Sequence, residues 1–231
     1  PFDARMSSVM CDVTELLVSE TSAKIGYTQS DEISLVYYSD RWESEPPFGG
    51  RIHKLVSILA ALASSYFNAL AMERLPSADG ALLDVGKARL PRPLASFDCR
   101  VWNVPNQEEA VNAVLWREFD AQKNSVSMLA REYFSHASLQ GKSTTTMLAM
   151  LEEKGVDWNA FPEAFRRGTY FQRRTVMVDP SSLTDIPERY RPQAPVERSK
   201  VVRLAMPPLA QVANRVSVVF HGMDPIMVNK S

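Results

Sequence analysis

The chain has 231 residues, with Lys+Arg 26 against Asp+Glu 27 and a formal net charge of -1. At 45% hydrophobic and 23% charged it sits with ordinary globular proteins, and it carries enough apolar material for a sizeable core in one large or two small domains. No run of 18 apolar residues and no secretory signal pattern stand in it, so neither a membrane span nor an exported precursor is expected. The two cysteines, Cys11 and Cys99, lie far apart without metal-ligand spacing and read as reduced thiols in a cytoplasmic protein. Balanced bulk charge does not announce a nucleic-acid binder, but phosphate binding needs only a local basic face.

In chain order, Phe2, Met6, Val9, Val13, Leu16 and Leu17 recur at helical spacing through residues 2–19. Two β-prone runs follow, Ala23–Gln29 and Ile33–Tyr38, around the break Ser30-Asp31-Glu32, which predicts a hairpin. Residues 39–50 form a polar loop ending in Gly49-Gly50. Ile52, Leu55, Leu59, Leu62, Ala63, Tyr66, Phe67 and Leu70 then mark a long amphipathic helix that ends near Leu75-Pro76. Residues 77–93 read as loop, and Ala95–Val104 as a strand closed by Pro105.

The order helix, hairpin, helix, strand lacks one initial strand of β-α-β-β-α-β. A strand before Pro1 would complete that ferredoxin-like layout, the α+β arrangement of nucleotidyl-transferring palm domains and nucleotide cyclases. Farther on, Asn106 with Glu109 predicts a capped helix running through Phe134, and Thr144–Lys154 a second helix stopped by Gly155. Residues 168–178 and 216–220 read as strands, and 179–200 as a proline- and charge-rich arm. The expected organisation is a palm-like core at 1–105, a helical region with a closing strand at 106–178, and an arm with a C-terminal strand at 179–231.

Five constellations bear on chemistry. Asp31 and Glu32 place adjacent carboxylates at a hairpin bend, where they can hold Mg²⁺, a cation often bound by one or two carboxylates plus substrate phosphates. The same tripeptide also describes a plain polar turn. Arg51 and Lys54 follow Gly49-Gly50 at a helix start, which suits a triphosphate or simply a solvated helix end. Trp116–Ser125 is a helix segment dense in polar groups, with Lys123 or Asn124 candidates for phosphate or base contacts. Gly141-Lys142-Ser143-Thr144 looks like the end of a P-loop, but His136 stands where the earlier glycine belongs, so only a lysine-to-phosphate contact is left. Arg166, Arg167, Arg173 and Arg174 open a basic series interleaved with Tyr170 and Phe171, a composition that suits RNA as well as solvated surface.

Taken together the chain resembles the tRNA-His guanylyltransferase family, the 3′-to-5′ reverse polymerases, and among them the bacterial and phage guanylyltransferase-like members. The matching stretches are Gly26–Ser34, Ser64-Ser65-Tyr66, Phe97–Val101, Trp116–Asp120 and Phe165–Thr169, in order. The resemblance implies a palm domain that adds nucleotides to the 5′ end of tRNA after ATP or GTP activates its 5′-phosphate. It implies Mg²⁺ on Asp31, with Glu32 as a supporting acid. It places Ser30, Arg51 and Lys54 near a triphosphate, Asn124 and Lys142 near the activated 5′ end, and Asp3 near the nucleotide. It also implies a homotetramer. The family's first metal carboxylate belongs to an Asp-Gly-Arg motif absent from these residues, and is expected before Pro1. The family's His-x-x-Asn pattern reads Gln122-Lys123-Asn124 here, which favours templated 5′-end repair over dedicated guanosine addition. Two other readings stay open: a non-catalytic RNA-binding palm protein, and a nucleotide cyclase relative.

Overall fold

The structure is a computed structural model that describes residues 2–39, 47–74, 94–184 and 186–228. Asp3 opens α1 (Ala4–Thr21) by accepting hydrogen bonds from the Arg5 and Met6 amides, satisfying donors that the first helical turn cannot pair internally. The hairpin follows as β1 (Ile25–Gln29) and β2 (Glu32–Val36), paired antiparallel from Ile25↔Val36 to Gln29↔Glu32. α2 (Ile52–Arg74) packs alongside α1. By length and composition α2 could cross a membrane, with a mean hydropathy of 1.7 over an 18-residue window. Leu55, Leu59 and Ala63 are nevertheless buried, and Leu62, Phe67 and Leu70 pack on the α1 core.

The second half contributes α3 (Gln107–Tyr133), α4 (His136–Leu139), α5 (Thr144–Glu153), α6 (Glu163–Arg167), β3 (Thr169–Val178), β4 (Val196–Arg203) and α7 (Arg215–His221). The sheet has the order β2-β1-β3-β4, with each neighbouring pair antiparallel. The fold is α+β, and its sheet draws strands from all three of the expected segments.

The sheet is covered on both faces, and strand alternation decides which residue goes where. Ile25, Tyr27 and Tyr170 face a core with Val111, Val114 and Ala121 of α3, Leu209 and Val212, and Val218 and Val219 of α7. Ile33, Leu35 and Phe171 face the opposite side, toward α1. The close approach of β1 to α1 requires Gly26, because a Cβ there would lie 2.5 Å from Val18 Cγ2. A smaller core joins Leu129 and Ala130 of α3 to Leu139, Leu151 and Trp158.

Two expected strands are absent. Residues 95–104 take no regular structure, and instead run beside α2. The Asn68 side chain donates to the Ala95 carbonyl at 2.8 Å, and the Phe97 amide donates to Ser64 Oγ at 2.9 Å. The edge of β1 away from β2 pairs with β3, through Gly26↔Phe171, Tyr27↔Tyr170 and Thr28↔Thr169. Residues 216–220 are helical, within α7, because burying both Val218 and Val219 outweighs the β preference of a Val-rich run. Residues 40–46 of the expected polar loop and the expected loop at 77–93 lie outside the described residues.

Candidate functional site at the acidic hairpin turn

Ser30 and Asp31 form a two-residue loop, with Ser30 at φ 53. That left-handed conformation is uncommon for serine and turns the chain sharply enough to leave Asp31 exposed. The Asp31 carboxylate makes no hydrogen bond or ion pair among the described residues. Its neighbour differs: Glu32 forms an ion pair with Arg117 of α3. Arg117 also lies 4.0 Å from Asp120, one helical turn on, and Asn124 donates to Asp120 at 3.0 Å. Glu32, Arg117, Asp120 and Asn124 therefore form a connected polar row from the hairpin onto one face of α3.

A buried network under this row fixes α3 against the sheet. Glu118 has no solvent exposure. It accepts from the Tyr170 hydroxyl at 2.5 Å and from the Leu209 amide at 3.0 Å, and Arg167 lies 3.9 Å away. Burial pushes the Glu118 carboxyl upward, while the Tyr170 and Leu209 hydrogen bonds pull it back. Burial also pushes the Tyr27 hydroxyl well up, and that hydroxyl donates to the Arg167 carbonyl at 2.9 Å. Gly168 follows at φ +84, where a Cβ would meet the Tyr27 ring at 2.6 Å.

The structure thus links Glu32 to Asn124 through Arg117 and Asp120, with Ser30 and Asp31 in the same turn as Glu32. It does not join the other expected residues to the turn. Asp3 is the α1 cap and pairs with Arg5. Arg51 and Lys54 are exposed at the start of α2, and Lys142 is exposed just before the Ser143 cap of α5. The four expected RNA-binding arginines are largely occupied within the fold. Arg166 donates to the Phe161 carbonyl and lies over Trp158. Arg167 is buried and donates to the Met206 carbonyl. Arg173 donates to the Ser19 carbonyl, and Arg174 to the Gly222 and Met223 carbonyls. Arg117 and Asp120 were not among the expected site residues. Their spacing with Asn124 puts the three on one helix face, but Glu32 is 85 residues away in sequence.

No group of three or more His, Cys, Asp or Glu side chains stands ready for a metal among the described residues. One free carboxylate, Asp31, fits the way Mg²⁺ is commonly held, by one or two carboxylates with phosphate oxygens and water completing the octahedron. Glu32, already paired, is not a second free ligand.

A family profile described as tRNA-His guanylyltransferase matches residues 1–105. That match takes in the N-terminal 105 of the 231 residues. The matched stretch holds α1, the hairpin and α2 of the guanylyltransferase-like fold. Over the whole chain, an ATP complex of a bacterial tRNA-His guanylyltransferase-like protein superimposes with a TM-score of 0.71 and 25% identity, covering 96% of this chain and 81% of that one. The yeast Saccharomyces cerevisiae tRNA-His guanylyltransferase has a TM-score of 0.60 at 21% identity, covering 74% of each chain, a likeness of fold. In sequence, an uncharacterised protein of Acanthamoeba polyphaga mimivirus is 25% identical over 190 residues, covering 78% of this chain; the chain spans 65% of that relative's length. The tRNA-His guanylyltransferase of Neurospora crassa is 24% identical over 227 residues, covering 88% of this chain and 73% of its own.

Proposed function

We propose that the chain is a nucleotidyltransferase that extends the 5′ end of tRNA in the 3′-to-5′ direction, with Mg²⁺ and with ATP and GTP as substrates. The observation that carries this reading is the exposed, unpaired Asp31 carboxylate on the hairpin of the family-matched segment, next to the polar row on α3. The nucleotide complexes of the bacterial guanylyltransferase-like protein support triphosphate substrates.

The reaction divides into two displacements. An oxygen of the tRNA 5′-monophosphate attacks the α-phosphorus of ATP or GTP, and pyrophosphate leaves. The 3′-hydroxyl of the incoming nucleotide then attacks the activated 5′-phosphorus; the nucleoside monophosphate leaves and the hydroxyl proton passes to solvent. Bound Mg²⁺ supplies charge neutralisation along the phosphates. Asp31 is the residue that would hold the ion at the turn. Asn124, with its amide already on Asp120, retains its carbonyl for a ribose or base donor. Arg51, Lys54 and Lys142 are exposed cations available to phosphate oxygens, and Ser30 shares the turn with Asp31.

The test is extension of a tRNA shortened by one 5′ nucleotide and bearing a 5′-monophosphate. With ATP, GTP and Mg²⁺ the product gains one nucleotide, and Asp31→Asn abolishes the gain. Release of a cyclic nucleotide from GTP without RNA overturns the reading in favour of a cyclase. A second reading, a non-catalytic tRNA-binding palm protein, is favoured by the single free carboxylate at the turn. Tight tRNA binding with no Mg²⁺-dependent turnover is its signature.

A further inference from the structure

A metal-binding carboxylate has to be held to within a fraction of an ångström, and a two-residue loop at the tip of a hairpin does not do this by itself. The β1–β2 ladder ends at Gln29↔Glu32, so Ser30 and Asp31 lie beyond its last pair. One side-chain ion pair crosses from that tip to a long, well-buried helix: Glu32 to Arg117. Arg117 is 21% exposed against 55% for Glu32, so the anchor is the more enclosed partner. Its guanidinium lies 5.3 Å from the Trp116 ring centroid and 4.0 Å from Asp120. The helix beneath is fixed by the buried Glu118–Tyr170 hydrogen bond one residue along.

We propose that Arg117 is a positioning residue: it fastens the acidic turn to α3 through Glu32 and so fixes the place of the free Asp31 carboxylate relative to Asp120 and Asn124. Glu32 then serves as the handle of the turn, not as a metal ligand. This rests on the nucleotidyltransferase reading and deepens it. Removing the guanidinium takes away the cation shared by Glu32 and Asp120, with Asp31 adjacent to Glu32 in the turn, and the uncompensated repulsion moves the turn away from α3. An arginine held by two carboxylates is poorly placed to bind a substrate phosphate, which separates this role from a direct phosphate clamp. Lysine in its place keeps the charge but loses the planar fork, so it should restore the function only in part.

The experiment uses the full chain and four variants: Arg117→Gln, Arg117→Lys, Glu32→Gln and the double variant Arg117→Gln/Glu32→Gln. Amide hydrogen exchange is read at residues 29–34 and at 169–172. Mn²⁺ affinity in the presence of GTP is read by electron paramagnetic resonance, and kcat and KM for 5′ extension are separated. In Arg117→Gln the turn amides exchange faster while those of β3 are unchanged, and Mn²⁺ binding weakens about tenfold, as for loss of a partner that orients a metal ligand. kcat falls, KM for GTP changes little, and Arg117→Lys recovers part of the loss. The double variant is no worse than either single one, because both remove the same link. Glu32→Gln breaks the link from its exposed side, so the result stands even if Arg117→Gln folds poorly. Unchanged exchange at the turn, additive losses in the double variant, or a rise in KM for GTP with kcat intact would each overturn the proposal. Failure of the nucleotidyltransferase reading looks different: the unmodified chain itself neither extends tRNA nor binds Mn²⁺ more tightly than Asp31→Asn does, while the exchange readout still reports on the link.

Discussion

Tyr170 on β3 donates its hydroxyl to Glu118 on α3 at 2.5 Å, joining the central sheet to the longest helix at a point closed to solvent. Removing that hydroxyl leaves a buried carboxylate with one donor fewer. Tyr170→Phe is therefore expected to cost about 1–3 kcal/mol, the range for an unsatisfied buried polar group. A lower urea midpoint with unchanged slope checks it.

The same carboxyl makes stability depend on pH. Burial raises the Glu118 carboxyl above its unfolded value of 4.5, so in that interval the folded state holds more protons than the unfolded state. Its contribution to stability is fully present below pH 4.5 and is lost as pH rises through the higher folded value. Glu118→Gln is the probe: it should flatten this part of the curve. Urea midpoints measured between pH 4 and 8 for both proteins compare the slopes, and identical slopes count against the assignment.

Asp3 titrates in the opposite sense. Its hydrogen bonds with Arg5 lower its carboxyl from 3.8 to about 2. The cap it gives α1 is present above pH 3.8 and is lost as pH falls toward 2. Asp3→Ala should cost around 0.5–1 kcal/mol at neutral pH, the lower part of the capping range because the site is exposed, and the difference from the parent should shrink as pH falls below 3.8. Thermal melts at pH 7 and pH 2.5 measure both.

Gly26 is a packing constraint. A Cβ at this position would stand 2.5 Å from Val18 Cγ2 and 3.0 Å from Thr14 Cγ2, so Gly26→Ala overpacks the α1–β1 contact and should cost about 1–3 kcal/mol. Val18→Ala opens space at the nearer of these contacts. The double variant should be more stable than the sum of the single losses, a coupling that denaturation midpoints resolve.

What the sequence showed and what it hid follow from the range of the interactions. The hairpin, α1 and the Asn106 cap of α3 are set by neighbours within a few residues, and each was legible. Residues 95–104 carry a strand-like pattern in Phe97, Cys99 and Val101, yet their partners are Ser64 and Asn68 of α2, which no local pattern names. The 216–220 run is β-branched but short, and burial of Val218 and Val219 on the α3 side selects helix. At the site, the turn was legible from adjacent carboxylates. The row from Glu32 to Asn124 was not, because one end of its ion pair is on β2 and the other on α3.

The arginine series makes the last prediction, which concerns RNA. Arg166, Arg167, Arg173 and Arg174 donate hydrogen bonds to carbonyls of the fold, so their loss should act on stability first. On the ribbon formed by β3 and β4 the register sets Lys200 opposite Arg174 and Arg198 opposite Val176, placing three cations on one face. Like charges opposite one another destabilise a strand pair, so this face gains when an anion covers it. Arg198 and Lys200 are exposed, and neither makes a side-chain hydrogen bond or ion pair among the described residues. If tRNA binds this face, Arg198→Gln/Lys200→Gln should leave the melting temperature nearly unchanged and reduce the slope of log affinity against log salt by roughly 1.5, about two phosphate contacts at 0.7–0.9 each. Arg167→Gln should instead lower the melting temperature and leave that slope alone in the fraction that stays folded. Filter binding of tRNA across a salt series, with melts of the same samples, separates the two; equal slopes for the ribbon variant and the parent would remove β4 from the RNA surface.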